Sequence, residues 1–257
     1  MRRIATKTAV ALISGLVSLQ AQNTAPSSPD TPGVVLVELF TAEGCSSCPP
    51  ADALLREVDG RRTKAGQSIV GISEHVTYWN GQGWSDPFSS EANTQRQNDY
   101  NDRFHLESVF TPQMVINGTE QIVGSDRAAF LQAMEKEDQQ RSRLSLHIVS
   151  LSADGNKLSI GYSASGELPP HGADLIAALV DDSDQSSVHG GENSGQTLVH
   201  VSVARSLARV AKLEATGEKT VQVRLPSSFQ GAPKHHLILF VQTRGNGRVL
   251  AADTKAL

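Results

Sequence analysis

A single junction does most to limit the folds open to this 257-residue chain. Val34–Phe40 (VVLVELF) is a nearly continuous apolar run, and Cys45-Ser46-Ser47-Cys48-Pro49-Pro50 follows it closely. An apolar run with β-branched residues reads as a strand covered on both faces. Behind the cysteines, Ala51, Leu54, Leu55 and Val58 recur at helical spacing. Proline at the first helical positions needs no backbone donor and pre-sets φ. The pattern predicts a strand, a short loop over Thr41–Gly44 and a helix opening near Cys48. A thiol at that helix mouth meets unpaired N–H groups and the positive end of the dipole, which lowers its pKa. Cys45 is therefore expected as the exposed attacking thiolate and Cys48, inside the first turn, as its buried resolving partner.

These are the only two cysteines, which excludes a disulfide-rich scaffold and a four-cysteine zinc site. Their compartment decides how they read. Arg2, Arg3 and Lys7 precede the uncharged apolar stretch Ala9–Leu19, with Ala21 and Ala25 as cleavage points. That is the layout of a secretory signal peptide over residues 1–21. It is too short for a membrane-spanning helix, which needs about 20 residues, so no permanent membrane span is expected. Residues 22–32, rich in Pro, Ser and Thr, read as a flexible lead-in. The mature protein is expected in the periplasm or outside the cell. There a close cysteine pair reads as a disulfide or redox couple. A purely structural disulfide is the bland alternative, weakened because so short a loop gains little entropy. The composition, 39% hydrophobic and 19% charged with a net charge of -4, supports a packed core. It offers no electrostatic footprint for nucleic acid.

Further elements fall in order. Ser68–Ser73 reads as a second apolar strand, Gln113–Ile116 and Glu120–Val123 as short strands around the turn signal Asn117-Gly118, and Ser125–Arg141 as a helix. This β-α-β…β-β-α order, with the C-x-x-C pair, resembles the thioredoxin superfamily. The resemblance implies a cis-proline at Pro112 facing the cysteines, and a Thr111 backbone that pairs with an extended substrate. It also makes Glu38, the one acid of the first strand, a proton relay for Cys48, with an outward-facing edge glutamate as the alternative. The strings LVELFTAEGCSSCPPAD (Leu36–Asp52), HVTYWNGQGWSDPF (His75–Phe88), TQRQNDY (Thr94–Tyr100), FTPQMVINGTE (Phe110–Glu120) and GENSGQTLVHVSVARSL (Gly191–Leu207) are more specific. They are similar to those of a family of bacterial secreted proteins of unknown function with a thioredoxin-like fold, which implies fold and export without an activity.

Residues 33–142 are thus expected to form a thioredoxin-like domain with an aromatic-rich insertion over 75–110. Seven of the chain's twelve aromatics lie in that insertion, including both tryptophans, Trp79 and Trp84. They read either as a substrate-binding wall or as the small core of the insertion. Gln95, Arg96 and Gln97 read as a solvated helix face. From 143 to 257 the pattern becomes alternating, with Leu144–Leu151, Leu158–Ser163, Asp174–Val180, Thr197–Leu213, Lys219–Leu225, Leu237–Thr243 and Val249–Asp253 as strand-like runs. They suggest an all-β, sandwich-like domain, with Asn246-Gly247 closing a final hairpin. The glycine-rich stretch His189–Gly195 lacks the lysine and hydroxyl of a phosphate loop and reads as a loop reaching towards the first domain.

The leading function is an exported thiol–disulfide oxidoreductase acting on a protein or small-molecule thiol or disulfide. It needs no separate cofactor, and its redox donor is unknown. Two alternatives stand beside it. One is a Cu(I)-binding, metallochaperone-like protein in which His75 joins the two thiolates, weakened by the lack of a methionine-rich stretch. The other is a non-catalytic interaction protein with a structural disulfide.

Overall fold

A computed structural model describes residues 33–81, 83–140, 142–229 and 234–257; the signal peptide and lead-in expected over 1–32 lie outside the described residues. The chain begins with β1 (Val34–Thr41), α1 (Pro49–Val58), β2 (Ser68–His75) and α2 (Glu91–Phe104). Next come β3 (Gln113–Ile116), β4 (Glu120–Val123) and α3 (Arg127–Asp138). Seven strands follow: β5 (Leu144–Asp154), β6 (Lys157–Gly166), β7 (Ala173–Ser187), β8 (Thr197–Leu213), β9 (Gly217–Arg224), β10 (His235–Thr243) and β11 (Val249–Ala256). Among the described residues, no helix is long and apolar enough to cross a membrane.

Local chemistry explains the helix boundaries. Pro49 and Pro50 occupy the first positions of α1, where no backbone donor is needed. Ser90 caps α2 by accepting from the Asn93 N–H, and Asp126 caps α3 by accepting from the Ala129 N–H. The Asp126 cap shortens the helix expected from Ser125 to Arg127–Asp138. Asn117 and Gly118, at φ 47° and 66°, form the β3–β4 turn. Two consecutive left-handed residues match the twist of the strands they join.

An eight-stranded mixed sheet runs β11-β10-β7-β8-β2-β1-β3-β4, and β5-β6-β9 form a separate antiparallel sheet. β1 pairs parallel with β2 and antiparallel with β3. Alternation along β1 assigns its two faces. Val35, Val37 and Leu39 pack with Leu54, Leu55 and Val58 of α1 and Phe130 and Met134 of α3. Leu36 turns the other way, into a core with Ile176, Ala178, Ile238 and Phe240.

The C-terminal strands correct one expectation. They do not stand apart as a sandwich of their own, because β7, β8, β10 and β11 continue the sheet of β1–β4 through the parallel contact of Ser73 with Val203. A sandwich-like packing is nevertheless present inside this arrangement. Leu175, Ala177 and Leu179 of β7 and Leu237, Leu239 and Val241 of β10 face Leu146, Leu158, Ile160 and Tyr162 of the small sheet. The intervening residues of β7 and β10 face the β1–β2 side. Strands covered on both faces are apolar at every position, so their sequence does not reveal that two different layers lie on either side.

Candidate functional site

Cys45 and Cys48 form a disulfide with Cα atoms 5.5 Å apart. Cys45 lies in the tight turn after β1, its N–H donating to the Ala42 carbonyl, and Cys48 is the residue from which α1 starts. The Cys48 carbonyl accepts from the Ala51 and Asp52 N–H groups at 2.8 and 3.1 Å. The expected position of the pair at the helix mouth is therefore what the fold builds.

The expected exposure of Cys45 is not. Both cysteines are fully buried, among Phe40, Ala42, Val76, Tyr100 and Val115, with Trp79 and Phe104 packed against them. Only the intervening Ser46 and Ser47 reach solvent. The reason is the insertion. Its Trp79 lies over Gly44, where an added Cβ would come within 3.4 Å of the Trp79 carbonyl. Its indole N–H donates to Thr111 Oγ1 at 2.7 Å. The Thr111 hydroxyl in turn donates to Cys45 Sγ at 3.4 Å, and Ser47 Oγ lies 3.4 Å from the same sulfur. The Thr111–Pro112 peptide is cis. Thr111, the residue before this cis-proline, and Trp79 thus gather around Cys45, with Trp79 as a cover.

The hydrogen bonds of Glu38 go to a helix and not to a cysteine. Glu38 shares a sheet face with Phe40, whose register partner in β2 is Glu74, and both carboxyls are fully buried there. Arg96 of α2 donates to Glu38 Oε1, and the Tyr100 hydroxyl donates to Glu38 Oε2 at 2.6 Å. Arg96 also donates to Gln242 at 3.1 Å and lies 3.8 Å from Glu74. Burial, with the Glu38 charge beside it, holds the Glu74 carboxyl well above its ordinary range. Burial and the Glu38 charge likewise raise the Tyr100 phenol against the opposing pull of Arg96. Glu38 is therefore an ion-pair partner, and the proton-relay role drawn from the resemblance does not fit it. Arg96 and Gln97 are buried too, not a solvated face. Gln97 donates to the Phe110 carbonyl and to Gln113, which fastens the insertion to the sheet.

A second polar cluster occupies the opposite face, the α1 side. His200 of β8, buried, sits 3.5 Å from Glu43 and 3.8 Å from Asp52. Its ring lies edge-on to His75 at 4.5 Å. Burial pushes the His200 imidazole down, but Asp52 and Glu43 outweigh it and raise the pKa to about 9. His75 Nδ1 meets Asp86 at 2.7 Å, and Asp86 accepts from the Glu43 N–H at 2.8 Å. Burial raises the Asp86 carboxyl, and His75 more than offsets this, leaving it below its ordinary value. His75 is thus committed to Asp86, and among the described residues no group of three His, Cys, Asp or Glu side chains is arranged to hold a metal ion. Sequence reasoning missed His200 because it is a lone histidine about 150 residues away from the cysteines.

The glycine-rich loop does reach the cysteines. Asn193 donates to the carbonyls of Glu43 and Cys45 at 2.9 and 2.8 Å. Glu192 accepts from the Ser46 N–H at 3.0 Å and from its hydroxyl at 2.6 Å, which lowers the Glu192 carboxyl pKa. Gly191 approaches Gly44 so closely that a Cβ would lie 3.3 Å from the Gly44 Cα. Trp84 braces the same region, its indole donating to Glu43 at 2.7 Å while its ring packs edge-on to His189. Trp79 is therefore the tryptophan at the disulfide, and Trp84 belongs to the clamp behind it.

Comparison with known proteins agrees with the extent of this architecture. The family model described as "Protein of unknown function (DUF1223)" matches residues 36–242, and the chain belongs to that family. The crystal structure of protein AGR_C_4864 from Agrobacterium tumefaciens is similar, at 25% identity and a TM-score of 0.64, covering 87% of this chain and 95% of that one. HBP35 of Porphyromonas gingivalis shares the fold at 11% identity and a TM-score of 0.63, over 88% of this chain and 76% of its own. No curated protein matches the chain.

Proposed function

We propose that this protein is an exported thiol–disulfide oxidoreductase acting through Cys45 and Cys48 on protein or small-molecule thiols and disulfides. The observation that carries this reading is the placement of the pair. A disulfide lies at the N-terminus of α1, with the Thr111 hydroxyl on Cys45 Sγ. Backbone N–H groups at a helix mouth stabilise a thiolate. Ser46 and Ser47, exposed beside the pair, border the side from which a partner sulfur approaches. In the reductive direction the Cys45 thiolate attacks a substrate disulfide and one substrate thiolate leaves. Cys48 then attacks Cys45, re-forming the enzyme disulfide and releasing the second substrate thiolate.

One observation favours a second reading, a structural staple: both sulfurs are sealed from solvent in the oxidised state. A single set of measurements separates the two. Equilibration with glutathione gives the potential of the pair, and structural disulfides lie below about -300 mV. A potential above that limit, loss of thiol exchange in Cys45→Ser and accumulation of mixed disulfides in Cys48→Ser are expected. A lower potential with no mixed disulfide in Cys48→Ser refutes redox turnover and leaves the staple.

A further inference from the structure

Turnover at this pair poses a proton problem that the geometry answers. Cys48 is fully buried, so water does not reach its sulfur. Yet as a thiol it must lose a proton before it attacks Cys45, and it must regain one when the disulfide opens. Glu38, the acid that the sequence offers for this task, is held in an ion pair by Arg96 and accepts a hydrogen bond from Tyr100.

Asp52 is placed differently. Cys48 already has helical dihedrals, and the Asp52 N–H donates to its carbonyl. The two residues are therefore separated by one turn, where side chains four apart are neighbours on one face. That face is the buried one, with Asp52 only 5% exposed. Its Oδ1 has no hydrogen-bond partner among the described residues. A carboxyl oxygen left unsatisfied in the interior is costly. Behind it stands His200, which comes from β8 and balances both Asp52 and Glu43. The His200 Nδ1 faces Asp52 Oδ1 at 3.8 Å, beyond normal hydrogen-bond reach, so the histidine supplies charge while that oxygen can still accept a proton.

We propose that Asp52, backed by the buried charge of His200, takes the proton from Cys48 and returns it. The proposal rests on the redox reading above. In the resolving step the Cys48 S–H proton passes to the Asp52 carboxylate. The Cys48 sulfur then uses its freed electron pair to form the Cys45–Cys48 bond. The bond from Cys45 to the substrate sulfur breaks, and the substrate thiolate leaves with that electron pair and is protonated by solvent. The neutral Asp52 carboxyl then releases its proton. In the opposite direction, Asp52 hands a proton to Cys48 as a substrate thiolate opens the disulfide. The pH dependence belongs to the whole cluster linked to Asp52. His200 on β8 faces Asp52 directly, and His200 in turn meets Glu43 on the loop after β1, the His75 ring on β2 with its partner Asp86, and its register partner Asp184 on β7. Arg56, one turn further along α1, is turned to the Val199 carbonyl.

The test is a single-turnover measurement of mixed-disulfide resolution with glutathione, in full-length Asp52→Asn and Asp52→Glu. A positioned general base is worth on the order of a hundredfold. Asp52→Asn is expected to slow resolution by at least about tenfold and to flatten its pH profile, while Asp52→Glu recovers most of the rate. The first attack by Cys45 should be little changed. Carbon NMR of the reduced wild-type protein is the companion measurement, following Cys48 Cβ and Asp52 Cγ. The two signals should share titration steps. Resolution in a folded Asp52→Asn protein with wild-type rate and pH profile overturns the assignment, as does independent titration of the two carbons. If the wild-type protein exchanges no disulfide with glutathione at all, the redox reading itself fails instead.

Discussion

Raising the pH should loosen this fold as His200 loses its proton. Free histidine titrates near 6.5, whereas His200 in the folded protein titrates at about 9. Between these values the folded state binds more protons than the unfolded chain, so stability falls as pH rises. The stabilisation is complete below about pH 6.5 and is gone once pH has passed about 9. A shift of this size amounts to about 3 kcal/mol, at 1.36 kcal/mol per unit. That is a large share of the 5–15 kcal/mol typical of a domain. Glu74, held well above its ordinary range by burial and the Glu38 charge, also loses a proton as pH rises, so the share of His200 is read from the difference between wild type and variant. Burial and the neighbouring Asp181 raise Asp184 to about 6, so its contribution is lost before this window opens. Tyr100 is raised well above 10 and acts beyond it. The assay is urea unfolding followed by tryptophan fluorescence at fixed ionic strength, from pH 6 to pH 10, for wild type and His200→Gln. At pH 6 the variant should be less stable by about 3 kcal/mol, because Glu43 and Asp52 lose their buried counter-charge. The two curves should converge near pH 10. A wild-type stability that stays flat across the window, or a variant with the same slope, refutes the ion-pair account of His200.

Glu192 places an exposed negative charge beside the cysteine turn. Glu192→Gln should shift the glutathione equilibrium about two- to fivefold towards the reduced form, and the shift should fade in 1 M salt as screening shortens its reach. Trp79→Ala removes the cover over Gly44 and the donor to Thr111. Reduction by a small thiol should speed up several-fold, measured by the rate of thiol appearance, and an unchanged rate would show that Trp79 does not control access. Arg96→Met leaves Glu38 without its counter-charge in the interior, at a cost of about 3–5 kcal/mol read from denaturant midpoints. Gly118→Ala forces a Cβ onto the Gly247 carbonyl at a position with φ 66°. It should cost on the order of 1–3 kcal/mol, because neither the backbone conformation nor the abutting β10–β11 turn can yield cheaply.

Much of the fold could be read from local pattern. β8 falls where the strand-like run places it, and β3 and β4 lie around the Asn117-Gly118 turn, which follows from residues that accept left-handed dihedrals. The redox motif was equally local, because strand, cysteines and prolines are contiguous in the chain. What was lost is what depends on distant partners. Glu38 looked free because its counter-ion, Arg96, comes from a helix 58 residues on, and the same pairing turned an apparently solvated helix face inward. Cys45 looked exposed because nothing near it in the sequence announces that Trp79 covers it. The loop of Glu192 and Asn193 was expected to reach the first domain and does, but no spacing rule names its contacts with Ser46 and Cys45 or connects His200 with Asp52. Sequence by itself located most of the elements and the cysteine pair at the start of a helix, since backbone preference and side-chain periodicity act over a few residues. Only the tertiary structure decided which charges meet and which sulfur is sealed, because burial and Coulomb interaction depend on distance in space and not on separation along the chain.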